Sequence, residues 1–287
     1  MTRTADLSPR SPAHPKHLGI RRSCPRLYPP GHSVTTVSDL IRIGGRRASL
    51  TEARTWVEAY FDRGNQNSRT PYAYPAYDEY QSGSGPFELN DGDLLAPTLL
   101  NAAPTVRAFY SLQEVRADLT EALTRIPVDL RLADSLADGT MPDLIGDLAT
   151  VLDEPERLAG VRLTTLFKVL HRKRPDFVPL YDQFVGACYL GQGDEFPVRR
   201  MRRRSWRHYA VAVTAAVSAD LTAQEAVFGQ LQPLAPGVST LRLLDVLAWK
   251  VGRRPPASDP VCAPAGADDD RLQQAAEHTP TAREQPS

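Results

Sequence analysis

Asp182 stands between an extended, proline-bounded link, Pro179-Leu180-Tyr181, and an apolar run that begins at Phe184 and Val185. A carboxylate there can cap a helix by accepting from its free amides. Beside a ligand it can also activate water, or stabilise positive charge growing on a sugar as a glycosidic bond breaks. His171 is a second candidate: it can serve as an acid or a phosphate donor, or simply as a partly buried hydrogen-bonding group. Arg199, Arg200, Arg202, Arg203, Arg204 and Arg207 surround Met201 and Trp206 with no acid among them. Such a run can neutralise several phosphates, or form a solvated loop whose arginines pair with acids elsewhere.

These groups need elements to hold them. Ser49 and Glu52 have capping-box spacing, and Ala53, Trp56, Val57, Tyr60 and Phe61 then recur at helical intervals. A long loop, 65–93, carries Tyr72, Tyr74, Tyr77 and Tyr80, which can stack on bases or cover the core. Asn90, Asp91 and Asp93 in that stretch read as a turn and cap, because the remaining ligand spacing of a calcium loop is missing. Asp93 is expected to cap a short helix through Leu99, and one helix is expected over 106–126, ended by Pro127. Shorter helices are expected near 129–137 and 142–152. Leu163, Leu166, Phe167 and Leu170 form one apolar face, with Lys168, His171 and Arg172 projecting elsewhere. The last helices begin after Ser205, a second capping box at Thr222 and Glu225, and Ser239. No hairpin signal, alternating run or repeat stands out, so the expected fold is mainly α, a single helical bundle or barrel.

Composition narrows the rest. Residues 1–33 and 255–287 are rich in proline and polar residues and read as disordered tails around a helical domain at 34–254. The 34 basic and 34 acidic residues balance, so attraction to a polyanion has to be local. Cys24, Cys188 and Cys262 lack metal-site spacing, which points away from zinc and disulfide frameworks and fits a reducing cytoplasm. No stretch approaches a membrane span. No metal and no cofactor is expected.

The segment 142–185 reads as helix, glycine hairpin, helix, extended link and an Asp at the next helix start. That order resembles the helix-hairpin-helix DNA glycosylase superfamily, with Leu158, Gly160 and Val161 matching its hairpin and Asp182 matching its catalytic Asp. The resemblance implies a glycosylase-like fold in which the hairpin amides hold a DNA phosphate. Arg162 stands where the family has a second hairpin glycine. Thr164 stands where lyase members carry a Lys, so the resemblance implies a monofunctional N-glycosylase-like hydrolase and no Schiff-base chemistry at that position. The pattern Lys168-x-Leu170-His171, Arg174-Pro175 and Pro179-x-Tyr181-Asp182 is also similar to an actinobacterial family of uncharacterised proteins, which implies no activity.

Three functions fit these residues. The first is DNA or other polyanion binding, with Asp182 catalytic and with Gly160, Val161, Arg162, Lys168, Arg172, Lys173, Arg200, Arg203 and Arg204 holding the nucleic acid. The second is a non-catalytic helical module that docks a protein, with Asp182 as a cap. The third is an enzyme acting on a small phosphorylated ligand at the same helix end.

Overall fold

Ser49 and Glu52 form the reciprocal cap that their spacing predicts: the Glu52 amide donates to Ser49 Oγ at 3.2 Å, and the Ser49 amide donates to Glu52 Oε2 at 2.9 Å. This cap ends a short hairpin whose strands show no periodic signal in the sequence. In the computed structural model, which describes residues 39–201 and 203–255, β1 (Leu40–Ile43) pairs antiparallel with β2 (Arg46–Ser49). The turn is Gly44-Gly45, and Gly44 has φ +59°, a conformation glycine adopts without penalty. Four-residue strands are too short to show an alternating pattern, although Ile41, Ile43 and Ala48 are all buried. Apart from Pro255, the predicted tails lie outside the described residues, as do Cys24, Cys262 and Arg202.

Helices make up most of the described chain beyond this hairpin: α1 (Leu50–Phe61), α2 (Asp91–Leu95), α3 (Val106–Glu114), α4 (Arg116–Thr124), α5 (Leu132–Ala137), α6 (Met141–Thr150), α7 (Leu163–His171) and α8 (Gln183–Tyr189). After a two-residue parallel pair, β3 (Leu190–Gly191) and β4 (Val198–Arg199), come α9 (Trp206–Ala223), α10 (Glu225–Leu231) and α11 (Thr240–Gly252). The described part is mainly α-helical, as expected. Three details differ. Asn90 caps α2 and Asp93 is its capping-box partner. The helix predicted over 106–126 breaks at Val115. Thr222 and Glu225 form no box, because α9 runs on through Ala223 and Gln224 holds both backbone groups of Arg42, at 2.7 Å each.

Long apolar faces set the packing: α6 lies along α9, and α8 lies along α11. α7 packs on α2 and on the 3-10 turn at Ala96–Leu100, with Leu163 and every residue from Leu166 to His171 buried. The expectation that Lys168 and His171 project away from the core is therefore corrected. The Tyr72–Tyr80 segment covers the polar face of α7: Tyr77 Oη donates to the Lys168 carbonyl at 2.7 Å, and its ring stacks on His171. Tyr74 and Tyr77 are buried, which is the covering role foreseen as one alternative for this loop.

Arg174 completes the frame. Its side chain has no exposure, and it donates to the carbonyls of Ile126 (2.7 Å), Leu123 (2.8 Å), Pro86 (2.8 Å) and Lys173 (2.7 Å). Leu123 and Ile126 lie at the C-terminal end of α4, where carbonyls lack intrahelical partners and the dipole favours a cation. Arg174→Met is expected to lower stability by about 3–5 kcal/mol, since it orphans several buried acceptors at once. Chemical denaturation should show Arg174→Lys recovering less than half of this, because one ammonium cannot reproduce the guanidinium fork; an unchanged midpoint in Arg174→Met would refute the assignment.

Candidate functional site

Asp182 has extended backbone angles, φ −145° and ψ −174°, and one carboxylate oxygen, Oδ1, accepts from the amides of Phe184 (2.8 Å) and Val185 (2.9 Å). The capping role is real and occupies that oxygen. Oδ2 makes no hydrogen bond among the described residues, and Asp182 lines a cavity of about 210 Å³. Lys168 of α7, Tyr60 of α1, Tyr72, Asn101, Tyr181, and Arg242, Asp245 and Trp249 of α11 also line it. Tyr60 and Tyr72 have ring centroids 5.0 Å apart, and Trp249 stands edge-on to both at 6.2 Å. The cavity thus combines aromatic wall, two carboxyl groups and two cationic side chains.

Arg242 organises the charges. It is almost completely buried, donates from Nε and Nη2 to Asp78 at 2.7 and 3.2 Å, from Nη2 to Tyr60 Oη at 2.8 Å, and from Nη1 to Asp245. Burial opposes its charge, but Tyr60, Asp78 and Asp245 outweigh that and keep it protonated. Burial lifts the Asp245 carboxyl to about 6, with Arg242 pulling the other way. Lys168 Nζ donates to the Leu100 carbonyl at 3.2 Å. Burial draws its ammonium below the usual range, against the opposing pull of Asp182 and Asp245.

The other predicted residues divide into two groups. Gly160 has φ +81°, and the turn around it closes through Val161 N–H to the Leu158 carbonyl at 3.3 Å. It sits against Thr105 and Ala108 at the start of α3, and Ser111 Oγ donates to the Ala159 carbonyl at 3.3 Å. Val161 is buried, while Arg162 is exposed at the head of α7, whose N-terminus has no side-chain cap. Arg200 and Met201 line an open cavity with Tyr181, Gln183 and Tyr209. Tyr181 lines the Asp182 cavity too, so the arginine run borders the head of α8. Arg203 is exposed and makes no ion pair among the described residues.

Several predicted cations are committed internally. Lys173 is buried and pairs with Asp93 at 3.0 Å. Arg172 donates to the Tyr77 carbonyl and lies over the Tyr77 and Tyr80 rings. Arg207 bridges Asp143 and Asp147 of α6, and Arg199 lies 3.8 Å from Asp194. Arg204, by contrast, donates to Met201 Sδ at 3.0 Å and makes no ion pair among the described residues. Trp206 stands edge-on to Tyr209, as a packing residue. Among the described residues no cluster suited to a metal ion is present, and no helix is long and apolar enough to cross a membrane.

Residues 53–252, from α1 to the end of α11, match the model of a family of unknown function, DUF6308. The chain belongs to this family. The matched span contains every residue that lines the Asp182 cavity. No curated protein and no solved structure matches the chain. Sequence reasoning missed Tyr60, Arg242, Asp245 and Trp249. The one available signal was the charged pair Arg242 and Asp245, three residues apart within the apolar run Leu241–Ala248.

A larger cleft, about 590 Å³, is lined by Asp78, Ser84, His171, Arg172, Lys173 and the Arg242 side chain, among others. His171 Nδ1 lies 2.7 Å from the Val178 carbonyl. A carbonyl only accepts, so Nδ1 carries the hydrogen. Burial holds the imidazole neutral, down to about 4. An unfolded His protonates near 6.5, so the unfolded state binds the extra proton between those values and stability falls as pH drops through that window. The stability advantage of wild type over His171→Asn is expected to shrink by about 3 kcal/mol between pH 7 and pH 4. Parallel denaturation curves across this range would contradict it.

Proposed function

We propose that the domain binds nucleic acid and receives a single unstacked base in the Asp182 cavity. The observation that carries this reading is the Asp182 carboxylate, half committed to capping α8 and half free in a cavity walled by Tyr60, Tyr72 and Trp249. Aromatic faces stack a base with little regard to sequence. The free carboxylate oxygen and the Lys168 ammonium then offer one acceptor and one donor to its edge.

Arg200, Arg203 and Arg204 beyond Tyr181, with Arg162 at the head of α7, are the cations available to phosphates. Lys168, Arg172 and Lys173 leave the set of backbone contacts, because their charges are turned inward. Base excision belongs to the same proposal: Asp182 would stabilise positive charge on a deoxyribose as the N-glycosidic bond lengthens, in a hydrolytic reaction. The glycosylase likeness rests on Leu158, Gly160, Val161 and Asp182. Docking of a protein partner is the competing outcome of the same experiment.

The test is the affinity of the full chain for single-stranded and duplex DNA across about 50–200 mM salt, with Arg203→Glu and Asp182→Asn beside it. Binding is expected to weaken steeply with salt, and Arg203→Glu to reduce the logarithmic slope by roughly one, the signature of one lost phosphate contact. Asp182→Asn should keep that slope and lose any preference for an oligonucleotide with an unpaired base. Absence of binding at about 50 mM salt, where counterion release is strongest, would eliminate the proposal and favour a protein partner.

A further inference from the structure

The chain has four lysines, Lys16, Lys168, Lys173 and Lys250, among 34 basic residues. Where it places a cation it almost always places arginine, which stays protonated and is no nucleophile. Lys16 lies outside the described residues. Lys173 is held by Asp93, Ser84 and the Gly85 carbonyl. Lys250 donates to Tyr72 Oη at 2.9 Å and rests over the Tyr72 and Trp249 rings. Lys168 differs from these. It lines a ligand-sized cavity, makes one hydrogen bond of 3.2 Å to a neutral carbonyl, and has no ion pair within 4.0 Å among the described residues.

We propose that Lys168 is a nucleophilic amine that condenses with an aldehyde or ketone admitted to the Asp182 cavity. The amine lone pair of Nζ adds to the carbonyl carbon, and the carbonyl oxygen takes up a proton to give a carbinolamine. Loss of that hydroxyl with one nitrogen-bound hydrogen releases water and leaves a C=N bond, so amine and carbonyl become imine and water with no redox change. Asp182 and Asp245 line the same cavity and supply the carboxyl groups that pass the proton between nitrogen and oxygen. Desolvation favours the neutral amine that such a step requires. The aromatic walls favour a planar or ring-bearing carbonyl compound.

The experiment is reductive trapping of the full chain near pH 7 with cyanoborohydride and either benzaldehyde or 2-deoxyribose, with peptide mapping by mass spectrometry as the readout. Nα-acetyl-lysine amide in the same solution is the reference amine. Lys168 is expected to be modified at least severalfold faster than the reference, since desolvation raises its neutral fraction at this pH. Its rate should also level off at lower pH than the reference rate, and Lys168→Arg should remove that labelled peptide. Labelling no faster than the reference, or confined to Lys250 and Lys173, would overturn the proposal. The wild-type result does not depend on any variant folding. No oligonucleotide is present either, so failure here and failure of nucleic-acid binding are separate results.

Discussion

A buried guanidinium is costly unless its N–H groups find partners, and a counter-charge offsets the cost further. Arg242 meets that requirement by drawing together three parts of the chain that are far apart in sequence. Tyr60 comes from α1, Asp78 from the tyrosine-rich segment and Asp245 from one turn further along α11. Removing any one partner would leave a charge with reduced compensation in a nearly water-free position, which costs far more than an ordinary surface pair contributes. The position of the Tyr72–Tyr80 segment over α7, and hence the wall of the Asp182 cavity, depends on this demand.

The same residue separates two cavities. Asp245 stands on the side of Asp182 and Lys168, while Asp78 stands on the side of His171 and Arg172. α7 sends Lys168 to the first, while His171 and Arg172 line the second. An amphipathic helix normally turns such residues to water. Here the covering segment replaces water on the polar face of α7, and Tyr77 alone meets the Lys168 carbonyl, the His171 ring and the Arg172 side chain. Lys168 and His171 are desolvated as a result, and in both the charged form is disfavoured. Low solvation in a lined cavity is how a fold turns an ordinary amine into a reactive one.

Much of the helical framework is legible in local signals. Ser49, Ser205, Ser239 and Asp182 all cap the helices they precede, because a cap is decided by a few neighbouring residues. The Gly44-Gly45 dipeptide is a hairpin-turn signal, but the four-residue strands beside it are too short for periodicity to support it. The break at Val115 carries no glycine or proline to announce it. At the site, Asp182 and Lys168 stand out in the sequence, Lys168 for a different role. Tyr60 and Trp249 read as ordinary core residues of their helices, and nothing local shows that they share a cavity.

The sequence by itself determined the helices, most of their caps, the balance of charge and the position of Asp182 at a helix head, since each depends on residues a few positions apart. Tertiary structure alone decided which charges are available. Arg207, Lys173 and Arg172 resemble Arg203 as letters in a basic chain, yet the first two are bound to acids and the third to a carbonyl and two rings, while Arg203 stands in solvent. Whether a cation can meet a ligand depends on what else is packed within a few ångströms of it, and those neighbours come from distant parts of the chain.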